Sequence, residues 1–223
     1  MKIFGIDHGE SNWGFSRANE ILKISTPLCA VKKEKVIDFL KTENISKNDL
    51  LVFGLPFSMS GRYSTQTFNV INDAIKLKDL FNCKVFFVDE RLTSKQLFQS
   101  FKKNTTSKKI KKSKDSNSSS LILSVFLQSN KGIELEEQEI YNANTNLLFD
   151  KKLLVFNIAI KPLEKNYTFE IYCENPWIFW YYFKEGFKST SLINDLSKEY
   201  DLVLKTKKDT LFEQISYNEK IEF

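Results

Sequence analysis

An α/β fold with parallel central strands is what this sequence predicts, on three observations. Short, almost wholly apolar runs recur at residues 2–7, 49–54 and 84–89. Longer stretches with apolar residues near a 3.6-residue period separate them, as helices covering the faces of a sheet require. Hydrophobic residues make up 42% of the 223 positions and charged residues 27%, enough to build a core and too apolar for a disordered chain.

Taken in order, KIFGID (2–7) reads as a buried strand. Residues 13–18 and 21–26 are close enough to follow as antiparallel hairpins, with Ala18, Asn19 and Glu20 supplying a turn. Residues 31–44 read as a helix, with Val31, Val36, Ile37 and Leu40 on one face. DLLVFG (49–54) is a second buried strand, running into Leu55 and Pro56. The longest predicted helix spans 64–82, with Phe68, Ile71, Ile75, Leu77 and Leu80 near a helical period. KVFFVD (84–89) is a third buried strand, and Thr93 is the expected N-cap of a short helix reaching Phe101.

Seven of the next thirteen residues, 102–114, are lysine, and the segment has no apolar period. It is expected to be a basic loop. Residues 115–128 return to helix, with small Ser118, Ser119 and Ser120 ahead of apolar Leu121, Ile122, Val125 and Phe126. The acidic stretch 134–140 reads as helical. A boundary at 143–151 then divides the chain into residues 1–144 and a smaller α/β domain, 145–223. In the latter we expect strands at 153–160, 167–173 and 201–205, a helix at 191–200, and an aromatic block at 176–183.

Composition excludes several classes. Three cysteines without a CxxC pair, and one histidine, exclude a disulfide framework or a zinc site as the organising principle. The apolar runs are too short to span a bilayer, and the early Asp7 does not fit a secretory signal, so a reduced, cytoplasmic protein is expected. Residues 1–130 carry 21 basic and 12 acidic side chains, against 12 and 16 in residues 131–223. That asymmetry points the first part towards a polyanion and gives the second another role.

Three carboxylates are the candidates for chemistry. GIDHG (5–9) delivers Asp7 at the end of a strand between glycines, which suits close approach by a phosphate as well as an ordinary turn. VDER (88–91) places Asp89 and Glu90 at another strand end, and alternation lets only one of them face Asp7. Asp115 opens a helix beside the lysine loop, where taken alone it reads as a plain N-cap. Brought together, three such acids are what a two-cation site requires, since hard Mg²⁺ takes oxygen ligands and an ion pair clamps both the attacking and the leaving oxygen.

Four pieces in order, GIDHG (5–9), VFGLPFSMSG (52–61), FVDERLTS (87–94) and DSNSSSLILSVFLQ (115–128), resemble the YqgF family. These are ribonuclease H-like proteins described as Holliday junction resolvases or pre-16S rRNA nucleases. The resemblance covers residues 1–130 and implies a ribonuclease H-like mixed sheet flanked by helices. It carries the family's acidic triad onto Asp7, Glu90 and Asp115 as catalytic residues and ligands of Mg²⁺ or Mn²⁺, two ions in all, with Arg91 in support. The family's usual alanine pair is replaced by Ser118 and Ser119, which keeps the positions small. His8 occupies a variable position and is expected to be non-catalytic.

The function so implied is a metal-dependent endonuclease acting on structured RNA or branched DNA. Arg91 and the loop lysines Lys102, Lys103, Lys108, Lys109, Lys111, Lys112 and Lys114 are expected to make salt-sensitive backbone contacts. The alternatives are a non-catalytic RNA-binding or ribosome-assembly factor, and an actin-like ATPase. The last is disfavoured because only Gly132 and Gly186 follow residue 61, too few for further phosphate loops. The aromatic block is expected to form a core or a protein interface more readily than to stack on bases. The protein is expected to be a monomer or homodimer without membrane contact.

Overall fold

In the computed structural model the described residues are 1–19, 23–58, 60–91, 114–129, 132–164 and 166–223. Their contacts divide into two units: residues 1–57 with 65–135, and residues 58–64 with 136–223. The sequence placed the change at 143–151. Contacts change hands earlier, and a seven-residue segment from the middle of the first unit belongs to the second.

The first unit is built on β1 (Ile3–Asp7), β2 (Asn12–Asn19), β3 (Ile24–Lys32), β4 (Leu50–Leu55), β5 (Lys84–Asp89) and β6 (Ile133–Glu134). They form one mixed sheet in the order β3-β2-β1-β4-β5-β6. β1, β4 and β5 run parallel, while β2, β3 and β6 pair antiparallel with their neighbours. Helices α1 (Val36–Thr42), α2 (Thr65–Phe81) and α3 (Lys114–Ser129) accompany the sheet. This is the mixed sheet flanked by helices that the sequence predicts.

Alternation along the strands sorts the core. Ile3, Val52 and Val88 point to α3 and pack with its Ile122, Leu123, Val125 and Leu127. Phe4, Ile6, Leu51, Phe53 and Phe87, also buried, alternate with them along the same strands. Phe53 stands 6.0 Å from the Trp13 ring and 6.2 Å from the Phe87 ring. α3 approaches the sheet closely because β1 has a glycine where they cross. A Cβ at Gly5 would lie 2.6 Å from the Ser119 carbonyl oxygen and 2.6 Å from the Leu123 Cβ. Ser119, fully buried at this crossing, shows why the position must stay small.

Several local expectations are corrected. β3 extends to Lys32, so the helix expected from residue 31 begins only at Val36 after a 3₁₀ turn. Val31 instead pairs with Trp13 across the hairpin, and Lys33 N–H donates to the Ser11 carbonyl at 2.9 Å. Asn19 still pairs with Ile24, so Ala18 and Asn19 are strand rather than turn, and Glu20 lies outside the described residues. α2 buries Thr67, Val70, Ile71, Ala74 and Leu77, whereas Leu80 is exposed. Residues 134–140 are not helical: Leu135 N–H donates to the Val85 carbonyl, and β6 completes the sheet edge beside β5. The helix expected at 93–101 and the lysine loop 102–113 lie outside the described residues.

The second unit holds β8 (Lys152–Phe156), β10 (Thr168–Tyr172), β11 (Glu199–Lys205) and β12 (Ser216–Glu222) in a wholly parallel sheet, ordered β10-β8-β11-β12. A separate pair joins β7 (Ile140–Asn142) and β9 (Ala159–Lys161). The expected strand 153–160 is broken by Asn157, whose φ of 54° leaves the extended region. The expected helix 191–200 reduces to a turn at Ile193–Asp195. Glu170 accepts hydrogen bonds from Ser197 N–H and Oγ and from Tyr200 Oη, and holds that segment in place as it enters β11. A short α4 (Thr145–Leu148) precedes β8, and β12 was not foreseen.

The aromatic block is helix α5 (Pro176–Lys184), opened by Asn175, whose side chain accepts from Trp177 N–H. Trp177, Phe179 and Tyr182 are buried, so the block is core, as favoured over base stacking. Tyr182 Oη accepts from Ile160 N–H and donates to the Ile158 carbonyl, satisfying both at 3.0 Å. Residues 58–64 join this unit through Arg62, which forms a forked pair with Asp195, and Tyr63. The Tyr63 ring stacks 4.3 Å from Phe179, and its hydroxyl donates to the Glu174 carbonyl. Among the described residues no helix is long and apolar enough to cross a membrane, and Cys29, Cys83 and Cys173 are free thiols.

Candidate active site

Asp7 is the last residue of β1 and pairs with Gly14 of β2. By alternation it shares a face with Ile3 and Gly5, the face covered by α3. β5 ends at Asp89, and Glu90 follows it immediately. β1 and β5 are not adjacent: β4 lies between them. The gap is bridged at Gly54, where a Cβ would stand 2.7 Å from Glu90 Oε1 and 2.9 Å from its Cγ. The bare Gly54 backbone thus makes the floor on which the Glu90 side chain rests.

Electrostatics report the same neighbourhood. The Glu90 carboxyl is pushed up to about 7, first by burial and then by the negative charges of Asp7 and Asp89. A carboxyl raised in this way beside a second acid needs a counter-cation to ionise fully near neutrality. Asp89 is turned to another use. Both of its oxygens accept from the Arg91 guanidinium, at 2.6–3.0 Å, and Arg91 lies 4.9 Å over the Phe57 ring. Alternation therefore separates the two adjacent acids, one towards Asp7 and one paired with arginine.

Asp115 occupies the first turn of α3, and its side chain lies outside the described atoms. The N-terminal side of α3 is anchored by the Ser119–Gly5 crossing one helical turn further on. Lys114 is also in this turn, and the other loop lysines fall among the residues left undescribed. Among the described residues no group of three or more His, Cys, Asp or Glu side chains could hold a metal. Asp7 and Glu90 supply two hard oxygen donors, one of them partly buried and raised by a like charge, which is a donor set suited to a hard divalent cation.

One partner escaped sequence reasoning. His8, only 9% exposed, places Nε2 3.0 Å from Asp73 Oδ2 on α2, and its ring lies 4.3 Å from Trp13. Burial raises the Asp73 carboxyl, but hydrogen bonds from His8 and Lys76 and the charges of Lys76 and Lys33 outweigh it and hold it well below the usual range. The available signal was an acid set among Val70, Ala74 and Leu77 on the apolar side of a predicted helix. Gly54, which the sequence places only at the end of a buried strand, is the floor under Glu90.

Comparison with known proteins adds an independent finding. A family model described as RuvX, Holliday junction resolvase, matches residues 1–129. A Thermotoga maritima protein named "Putative pre-16S rRNA nuclease" is 27% identical over 207 residues, covering 92% of this chain and 86% of that protein. Proteins of the same name from Flavobacterium johnsoniae (32% identical, 57% of this chain, 96% of theirs) and Protochlamydia amoebophila (35%, 57% and 93%) are also similar. The Thermotoga alignment is too long to stop at residue 129 and continues into the second unit, whereas the other two cover little over half of the chain.

Proposed function

The chain belongs to the RuvX family of Holliday junction resolvases, and on that premise we propose that it is a metal-dependent endonuclease that hydrolyses phosphodiester bonds in structured nucleic acid. The observation that carries the reading is the approach of Glu90 to Asp7 across Gly54, with the glutamate raised to about 7 by burial and by that neighbour. Asp7, Glu90 and Asp115 would hold one or two Mg²⁺ or Mn²⁺ ions. When bound, such ions supply an activated water and charge stabilisation for the leaving oxygen.

The protein's own groups have separable tasks. Asp7 and Glu90 present carboxylate oxygens from two strand ends, and β4 between them fixes their separation through main-chain hydrogen bonds. Arg91, held by Asp89 and Phe57, keeps a guanidinium beside the acids and offers donors to a phosphate. The lysine-rich segment 102–114 supplies positive charge that offsets the acids' field against a polyanion.

The relatives' names point to a ribosomal RNA precursor and the family description to a four-way DNA junction, so the test uses both substrates. With Mg²⁺ or Mn²⁺, end-labelled pre-16S-type RNA or a synthetic junction is expected to be cut, and Asp7→Asn to reduce the rate at least ~100-fold. Equal cutting by wild type and Asp7→Asn, or cutting of neither substrate, overturns the reading. In the second case the non-catalytic assembly role takes its place.

A further inference from the structure

We infer that His8 and Asp73 are positioning residues: their hydrogen bond clamps the turn after Asp7 to helix α2 and so sets where the Asp7 carboxylate stands relative to Glu90. The inference rests on the metal-site reading above and goes beyond it, because neither residue is among the three acids.

The paired register of β1 with β4 stops at Ile6 opposite Phe53, one residue before Asp7. On the other side Asp7 pairs with Gly14, after which the chain reverses tightly through Gly9 into β2. That reversal is crowded, since a Cβ on Gly9 would collide with the Asn12 carbonyl oxygen. Asp7 and Glu90 also repel each other, since the charge of Asp7 is one cause of the raised Glu90 carboxyl. The position of a carboxylate at a ladder end, opposed by a like charge, is steadied by an anchor in the turn that follows it.

His8 is placed to be that anchor because alternation sends it to the opposite face from Asp7. There it is shielded from solvent, packed on Trp13, and bonded to Asp73 on α2. Asp73 is itself fixed by Lys76 at 3.0 Å and Lys33 at 3.3 Å. An ionised carboxylate can only accept, so the hydrogen lies on Nε2 and histidine donates. One residue of the turn carries the acid and the next carries the tether, so a shift in the tether displaces the acid.

The test combines amide hydrogen exchange, titration with Mn²⁺ alone and steady-state cleavage for the full chain and for His8→Ala, His8→Gln, Asp73→Asn and Asp7→Asn. His8→Ala is expected to speed exchange in residues 5–12 and to lower Mn²⁺ affinity and kcat about tenfold, leaving KM within about twofold. His8→Gln, whose amide can donate from nearly the same place, is expected to recover most of both losses. If His8→Ala loosens residues 5–12 but leaves Mn²⁺ affinity and kcat unchanged, while Asp7→Asn is inactive, the pair is only structural and the inference fails with the nuclease reading intact. If Asp7→Asn cuts like wild type, the nuclease reading falls and the inference with it.

Discussion

At the scale of single residues, Glu90 concentrates the tension between stability and function. Its carboxyl ordinarily titrates near 4.5 and is pushed up to about 7 in the fold by burial and by Asp7 and Asp89. Between those values the folded protein keeps a proton that the unfolded chain has released, so stability must fall as pH rises. The contribution is fully present below about pH 4.5 and lost through about pH 7, ~3 kcal/mol in all. Without divalent ions, Glu90→Gln is expected to raise stability at pH 8 by about 2 kcal/mol and to flatten the dependence below it. Urea unfolding in EDTA across that range measures both, and parallel curves for the two proteins would contradict the assignment. The same variant should lose cleavage, since an amide is a poor ligand for a hard cation.

At the scale of elements, the crossing of α3 over β1 depends on two small residues with opposite expectations. Gly5→Ala pushes a Cβ against the Ser119 carbonyl, a backbone atom that cannot swing aside. It is expected to cost about 2 kcal/mol in thermal or urea unfolding. Ser119→Ala, by contrast, removes a buried hydroxyl that has no hydrogen-bond partner and restores an alanine-like size. It is expected to be neutral or to stabilise by up to ~1 kcal/mol. The serine for alanine exchange noticed in the sequence thus keeps the helix close to the sheet but leaves an unpartnered hydroxyl in the core. α2 shows how an element's pattern can mislead in detail. Its buried side runs through Thr67, Val70, Ile71, Ala74 and Leu77, which keeps Ile71 and Leu77 of the predicted face but leaves Leu80 exposed and Phe68 and Ile75 only half-buried.

At the scale of the whole molecule, chain order and contact order differ. Residues 58–64 lie in sequence between β4 and α2 of the first unit, yet Arg62 and Tyr63 make their contacts in the second. Tyr63→Ala is expected to destabilise residues 136–223 by about 2 kcal/mol, read as faster amide exchange in α5 and β10, with β1 and β4 protected as before. The charge asymmetry makes its own prediction. Replacing Lys108, Lys109 and Lys111 with glutamine should weaken binding to duplex substrates. It should also lower the slope of log affinity against log salt by about 0.9 for each lysine that contacts a phosphate. An unchanged slope would remove this segment from the interface.

The strands at 2–7, 49–54 and 84–89, their parallel arrangement and the acids at two of their ends were legible in the sequence, because each is encoded by local apolar runs and their punctuation. The same local signals failed for residues 31–32, 134–140 and 191–200. There a strand partner or a side-chain bond from a distant residue overrides helical pattern. What sequence alone determined is the sheet and the acids at its strand ends. Only the tertiary structure decided that Gly54 makes the floor under Glu90, that Asp89 goes to Arg91, and that His8 is tied to Asp73. Those outcomes depend on which residues meet across strands and helices far apart in the chain, and no local pattern carries that information.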